Sequence, residues 1–503
     1  MTKRITITIV GAAILLSTIA AIPVMCMVND KPAFSISIDG TSQLVTPYKT
    51  YQNPIGSSAA GFHPKTLVFP NGVGCLVWMN QTSTKLYNVG GDLKLSGTDA
   101  QYLTTRVTAS VKNMTGPLGA FNSLSSWNVP TVTLDNLFQR DYCSFMDAAI
   151  DTNGHLNVFL SNQTVINGTV SSYNSYSALV WNVNTGAVTS IENSTQNWVN
   201  FFAYADPAIP SLSARGASGQ ILFHGANRHL LWNNGTHIRY KYNAENVTPL
   251  AADTYMGEGS MVLDATGVLH VAYSKGTDIN AKQVVRRSKP VGGAFTSETT
   301  ISAGGKECIS TSVFLGAGGS PNYLWSVKEN SSGYLYVVKY FDGTTIHDVS
   351  NDHGALTLSG TQSPLGIIAY QPRGAYLNGK LNIFYIDMTA YTDYPSTSGN
   401  LAWQHYGGAT FSDNTLRIIS YIFGNFDEKA FSILINDDDI IVSMLSRSLS
   451  SSRFNFAKVD YTAPSVVVTS PVSLDMPLSY SLTWTVSESD IATIVVEWDN
   501  KVL

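Results

Sequence analysis

Residues 263–274 read LDATGVLHVAYS. An apolar residue, an acidic turn closed by glycine and then alternating large side chains predict a strand, a tight reversal and a second strand. The same unit recurs as AAIDTNGHLNVFLS (148–161), LSARGASGQILFHG (212–225), GAYLNGKLNIFYID (374–387) and SILINDDDIIVSML (432–445). LVFPNGVGCLVWM (67–79) and VFLGAGGSPNYLWSV (313–327) are weaker copies. The turn positions Gly72, Gly154, Gly219, Gly267, Gly319, Gly379 and Asp438 lie 48 to 82 residues apart. A fixed order at a period near 60 marks a repeat architecture.

A third strand follows each pair: KLYNVGG (85–91), ALVWNVNTG (178–186), IRYKYN (238–243), VVRRSK (284–289), LYVVKYFDG (335–343), LAWQHYGG (401–408) and FNFAKVD (454–460). A more polar fourth strand usually comes next, as in AVTSIE (187–192), SETTIS (297–302) or LRIISY (416–421). Long amphipathic helical patterns are absent. Four antiparallel strands repeated seven times predict an all-β chain, a seven-bladed β-propeller over residues 28–462. The segment AFSISIDG (33–40) is expected to pair with the last blade and close the ring, which removes two open sheet edges.

After Asp460 the texture changes. Two prolines frame a strand in PSVVVTSP, and SLTWTVSESD alternates around Trp484. This tail resembles the first half of an immunoglobulin-like module. Such sandwiches need about 100 residues, so residues 463–503 are read as a partial immunoglobulin-like β-sandwich.

Only 13% of the 503 residues are charged, and the formal net charge is −5. That low share fits a β-rich protein facing an extracellular medium. No basic patch is present, which argues against a nucleic-acid partner. Lys3 and Arg4 precede a long uncharged run that ends before Asp30. Residues 1–27 therefore read as a signal peptide, with membrane anchoring as the alternative, and either places the rest outside the cell. Beyond Cys26, the cysteines Cys75, Cys143 and Cys308 are read as small buried apolar residues, with no spacing that suggests zinc. Eight glycosylation sequons match the number expected by chance, so they are compatible with glycosylation without indicating it.

Within an antiparallel blade, the first-to-second and third-to-fourth turns share one face. The remaining connections lie on the other. The first set is short (DTNG, NTG, FDG, DDD), whereas the second is long and aromatic, as in 193–210, 224–237, 251–260, 347–358 and 387–400. Long loops on a rigid scaffold are where binding usually sits. The richest cluster there is Trp198, Tyr204, Asp206, His224, Arg228, His229, Trp232, Tyr255 and Glu258. Aromatic faces beside carboxylate, imidazole and guanidinium groups suit a sugar. The competing reading is that these aromatics pack between blades. His347, Asp352 and His353 share one connection without a defined metal-ligand motif, and Asp437, Asp438 and Asp439 read as a solvated turn, so neither metal nor cofactor is expected.

The run LHVAYSKGTDINAKQVVRRSKPVGGAFTSETTIS (269–302) resembles the sialidase-like, BNR-repeat propellers, in which a Val-x-Tyr-Ser strand precedes an Arg-Ser strand, Gly-Gly and a Trp/Phe-Ser strand. The resemblance implies a propeller, often one that engages carbohydrate. It carries no activity over. The aspartate box never occurs intact (SISIDGTSQL, 35–44, is an echo), and the Phe/Tyr-Arg-Ile-Pro motif of sialidases is missing. No spacing among Arg140, Arg215, Arg228 and Arg373 defines an arginine triad. A glycosidase needs a carboxyl pair, and none is singled out among Asp206, Glu258, Asp348, Asp352 and Asp387. The expected function is an exported or cell-surface propeller that binds a glycan or a cell-surface protein without catalysis. A glycoside hydrolase or polysaccharide lyase on the same face, and a structural surface-layer component, are the alternatives.

Overall fold

A computed structural model describes residues 6–8, 34–38, 44–45, 49–52, 59–70, 73–82, 87–89, 92–94, 104–113, 141–142, 146–165, 173–194, 218–233, 237–278, 281–329, 336–349, 364–391, 398–406, 416–423, 431–436, 439–448, 451–460, 466–468, 484–486, 493–498 and 501–502. The described secondary structure is all-β, apart from one 3-10 turn at Ala317–Gly319. No helix among the described residues is long and apolar enough to cross a membrane.

The chain divides into two compact units, one of residues 48–435 and 441–456, the other of residues 1–47, 436–440 and 457–503. In the larger unit the first sheet holds β1 (Ala59–Val68), β2 (Val73–Thr82) and β3 (Thr104–Asn113). The second contains β4 (Met146–Ile150), β5 (Leu156–Val165), β6 (Tyr173–Asn182) and β7 (Val188–Ser194). The third is β8 (Gly219–His224), β9 (Asn227–Asn233), β10 (His237–Tyr242) and β11 (Thr248–Ala252). The fourth is β12 (Tyr255–Leu263), β13 (Leu269–Gly276), β14 (Gln283–Lys289) and β15 (Thr299–Thr300). In the fifth, β16 (Cys308–Leu315), β17 (Pro321–Lys328), β18 (Tyr336–Phe341) and β19 (Ile346–Asp348) follow the same order. The sixth repeats it with β20 (Pro364–Leu377), β21 (Lys380–Tyr391), β22 (Ser398–Tyr406) and β23 (Leu416–Phe423), and a single parallel bridge from Tyr336 to Ile368 joins it to the fifth as one continuous eight-stranded sheet. The last is β24 (Phe431–Asn436), β25 (Asp439–Ser448) and β26 (Ser451–Asp460).

Successive residues of a strand face opposite sides of its sheet, and here both sides are apolar. Val158 and Leu160 of β5 pack with Cys75 and Val77 of the first sheet. Their neighbour Phe159 packs the other way, onto Ile221, Leu230 and Trp232 of the third. Leu231 and Tyr240 then meet Met261, Val271 and Tyr273 of the fourth. Ala272 and Val284 meet Val313, Tyr323 and Trp325 of the fifth. Leu324 and Val338 meet Ile383 and Tyr385 of the sixth. The second to fifth sheets are thus each sandwiched face to face between their sequence neighbours, a propeller-like arrangement. Each fully buried large side chain contributes about 1.5–3 kcal/mol.

A polar rivet recurs inside the sheets. The Tyr340 hydroxyl donates to Asn322 Oδ1 at 2.9 Å, and Trp403 Nε1 donates to Asn382 Oδ1 at 3.0 Å. His229 Nδ1 and the Tyr240 hydroxyl, 2.8 Å apart, occupy the matching place in the third sheet.

Three sequence expectations need correction. The reversal expected at Gly219 lies at Gly225, which has a φ of 57°; Gly219 begins a strand. The third strand of the first sheet is β3, paired with β2 along its whole length, whereas Tyr87–Val89 forms a separate short hairpin with Asp92–Lys94. Phe34–Ile38 does not join the last sheet; in the smaller unit it pairs antiparallel with Thr493–Trp498. In the larger unit Lys49–Gln52 pairs antiparallel with Arg453–Phe456. In the smaller unit Leu44–Val45 pairs with Val459–Asp460, and Val466–Val468 with Trp484–Val486.

Candidate functional site

The first strands β1, β4, β8, β12, β16, β20 and β24 all reach one cavity of about 170 Å³. Lys65 of β1, Asp147 of β4, Gln220 of β8, Ser260 of β12, Ser312 of β16, Arg373 of β20 and Ser432 of β24 all line it. The first six lie opposite Val77, Phe159, Leu231, Ala272, Leu324 and Phe384, so they hold equivalent places in the ladders. Every one of these cavity positions is polar, although the strands around them are dominated by apolar residues.

Contacts at and beside these positions join each of the first five sheets to the next, and the last to the first. Lys65 Nζ lies 3.0 Å from Asp147 Oδ1, and the Ile221 N–H donates to Asp147 Oδ2 at 3.0 Å. Gln220 spends both ends of its amide on Met261: Nε2 donates to the carbonyl at 2.9 Å and Oε1 accepts from the N–H at 2.7 Å. The Val313 N–H donates to Ser260 Oγ at 3.2 Å. Gly374 sits against the ring of Phe314, where an added Cβ would lie 2.3 Å from Cε1. The Thr66 N–H donates to Ser432 Oγ at 3.1 Å, joining the first sheet to the last. Thr66 Oγ1 also reaches Ser443 Oγ at 2.6 Å.

Glu258 and Arg373 form the other charged pair of the cavity, with Nη2 3.0 Å from Oε1. Arg373 Nη1 also donates to its neighbour's carbonyl, Pro372 O, at 3.0 Å. Glu258 reaches the cavity because β12 is bulged. Between Met256 and Gly259 the strand advances three residues while β13 advances two. The same one-residue excess occurs between Phe62 and Lys65, Ile309 and Ser312, and Tyr370 and Arg373. Bulges re-aim side chains and cluster beside active sites. Among the described residues, four non-glycine residues have positive φ: Asn243 and Asn378 in turns, and Ser310 (53°) and Gln371 (51°) in these bulges.

The expected loop cluster is divided. Trp198, Tyr204 and Asp206 lie outside the described residues. Residues 224–233 are no long loop: His224 and Arg228 flank the β8–β9 hairpin, the opposite end of β8 from Gln220. His229 and Trp232 are on β9, buried at 7% and 0% exposure. Burial, with Lys289 and His224 nearby, pushes the His229 imidazole down to about 4. Trp232 packs edge-on against Phe159, and its Nε1 donates to Glu192 Oε2 at 2.7 Å. Residues 251–260 form a tight junction between β11 and β12. Tyr255 opens β12, half-buried, and Glu258 alone of the described residues of this cluster lines the cavity. His347 lies on β19, stacked on Tyr340, with Nε2 3.2 Å from Asp342 Oδ2. No group of three or more His, Cys, Asp or Glu residues suits a metal among the described residues.

The hairpin ends carry a different pattern. Asp264 Oδ1 accepts the N–H groups of Thr266 and Val268, each at 2.9 Å, while Oδ2 meets His270 Nε2 at 3.1 Å. Asp151 and Asp342 cap their turns in the same manner.

No protein-family model and no curated protein matches the sequence. Among solved structures, an ulvan lyase bound to a glucuronate–sulfated-rhamnose fragment is 10% identical, with a TM-score of 0.41, covering 83% of this chain and 96% of that one. The β-propeller domain of the Trilobed protease from Pyrococcus furiosus is 8% identical at 0.37, covering 81% and 97%. A Trypanosoma rangeli sialidase in complex with sialic acid is 11% identical at 0.37, covering 85% and 59%. Likenesses this distant carry no inference about what this chain binds.

Proposed function

We propose that this protein is an exported or cell-surface, closed seven-bladed propeller that binds a glycan at the mouth of its central cavity and does not turn it over. One observation carries the reading: equivalent positions on the first strands present polar side chains to a single cavity. The cavity lies towards the starts of β4 and β8. Trp198, Tyr204 and Asp206, with Tyr255 at the start of β12 as a stacking face, are the proposed ligand groups beside it. About 170 Å³ is below the roughly 300–1,000 Å³ of drug-sized pockets, which suits one sugar residue or the end of a chain.

A non-catalytic role follows from the pairing of the carboxylates. A glycosidase keeps one carboxyl protonated beside the scissile oxygen, whereas Asp147 and Glu258 each face a cation. The presence of two carboxylates in one cavity nevertheless supports a hydrolase or lyase as the second reading. A glycan-array screen of residues 28–462, run beside reducing-sugar and unsaturated-product assays, separates the two. Binding without product, weakened by Arg373→Ala, supports the proposal; product release abolished by Asp147→Asn or Glu258→Gln replaces it with the enzyme.

A further inference from the structure

We propose that Arg228 and Lys241, at the hairpin end of the third sheet, form a binding site for an oxyanion group (a carboxylate, sulfate or phosphate). The site is separate from the cavity and does not depend on the glycan-binding reading. The other arginines with described side chains are engaged. Arg239 and Arg373 face Glu192 and Glu258, Arg287 donates to the carbonyls of Leu250 and Thr296, and Arg286 lies over the rings of Tyr323 and Phe341. Arg228 differs: no acid, carbonyl or ring engages its guanidinium, and its Nε is buried without a hydrogen-bond partner. Burial lowers the group from its ordinary value, with no carboxylate to offset the shift. A half-buried cation without a counter-ion costs stability, and groups perturbed in this way collect at binding sites.

Lys241 supplies a second positive charge on the same face. It lies opposite Leu230 in the ladder, and Arg228 is two residues before Leu230. The two cations are therefore diagonal neighbours, about 7–8 Å apart, within reach of one ligand through their long side chains. This is the face that packs on the second sheet through Leu230 and Trp232. There Arg239 meets Glu192 at 2.9 Å. Nearer the hairpin end, the second sheet continues the face of Val180 with Asn182 and Thr189, both neutral. Asp151 is committed to its own turn and to Asn157. Glu245, in the connection after β10, forms no ion pair with either cation.

The backbone holds Arg228 in place. Asn243 Oδ1 accepts the Arg228 N–H at 2.7 Å, and the Asn243 N–H donates to Arg228 O at 2.9 Å. Asn243 Nδ2 also donates to Asn227 Oδ1 at 2.9 Å. Asn243 makes these bonds from left-handed backbone, with a φ of 44°, which asparagine tolerates. A guanidinium on a fixed backbone presents a planar fork that matches two oxygens of an oxyanion, and the lysine adds a point charge beside it.

Isothermal titration calorimetry of the full chain at low salt tests this with sodium sulfate, sodium phosphate and an oligogalacturonate. The free ions and the polyuronate distinguish an anion taken from solution from one carried on an acidic polysaccharide. Binding of at least one probe is expected, weakening as salt rises. Arg228→Gln and Lys241→Gln should each weaken it at least about fivefold. Arg228→Lys, which keeps the charge but loses the fork, should weaken it as well. Lys289 lies over Tyr242 on the other face of the third sheet, so Lys289→Gln should bind as wild type. Without ligand, Arg228→Gln should melt at or above the wild-type temperature, because it removes an uncompensated charge; that separates lost binding from lost folding. Equal binding by wild type, Arg228→Gln and Lys241→Gln overturns the inference. So does an equal loss in Lys289→Gln, or no binding of any probe.

Discussion

Arg373 of the sixth sheet and Glu258 of the fourth form an ion pair, Nη2 to Oε1 at 3.0 Å, across the cavity where the first strands meet. The fifth sheet lies between theirs in sequence, so the contact spans a gap that neither packed face of a single pair of sheets covers. Both side chains keep only 16–18% exposure. Removing one partner leaves a mostly desolvated charge behind. Arg373→Ala is expected to cost roughly 1–3 kcal/mol, less than the 3–5 kcal/mol of a fully buried pair. Chemical denaturation of the two single variants and the double variant measures it, and a coupling near zero would mean that the contact is incidental.

Gln220 makes two hydrogen bonds to the Met261 backbone, and Ser260 makes one to Val313. Gln220→Ala strands a backbone donor and acceptor between sheets and should destabilise by roughly 2–4 kcal/mol. Ser260→Ala should cost about 1 kcal/mol. Equal losses would argue against a stitching role for the amide.

Acid stability should depend on the hairpin aspartates. Partial burial works against the Asp264 charge, but hydrogen bonds from Thr266, His270 and the backbone of Val268 outweigh it and lower the group to about 2. The depressed value means that its contribution is complete above the ordinary carboxylate value of about 4 and is lost as pH falls towards 2. Asp264→Asn should therefore flatten the stability curve between pH 4 and pH 2 and leave its neutral slope unchanged. Urea melts at stepped pH read this directly.

The buried thiols should be inert in the native protein. Burial raises Cys75 to about 12 and Cys308 to about 11. The thiolate is the reactive form, so iodoacetamide at pH 8 should modify neither position until denaturant is added. Peptide mapping of the alkylated protein checks both. Rapid native labelling of Cys75 would place it outside the core between the first two sheets.

Where an acid–glycine turn separates two alternating runs, as at Gly154 and Gly267, the hairpin was readable from sequence because turn chemistry and period-two burial agree there. The third sheet misled because its true reversal, Gly225–Ala226, lacks an acidic residue, while Gly219 follows a serine-rich stretch that mimics a turn. HLLW (229–232) looked like loop chemistry, yet both faces of β9 are buried, so imidazole and indole became packing groups with one hydrogen-bond partner each. Glu258 and Arg373 were both visible as candidates, but not their pairing, which joins residues 115 apart. The bulges left no sequence signal at all. A single extra residue is defined only against the partner strand, and nothing in Ser310–Thr311 or Gln371–Pro372 announces it.

The most direct measurement is amide hydrogen exchange by mass spectrometry, with and without a glycan retained in the screen. The account predicts simultaneous protection in peptides covering 62–66, 145–148, 256–260, 310–314 and 371–374, segments distant in sequence that share one cavity mouth. Protection confined to the hairpin ends near 151–155, 224–228 and 264–268, with the first strands unchanged, would contradict it.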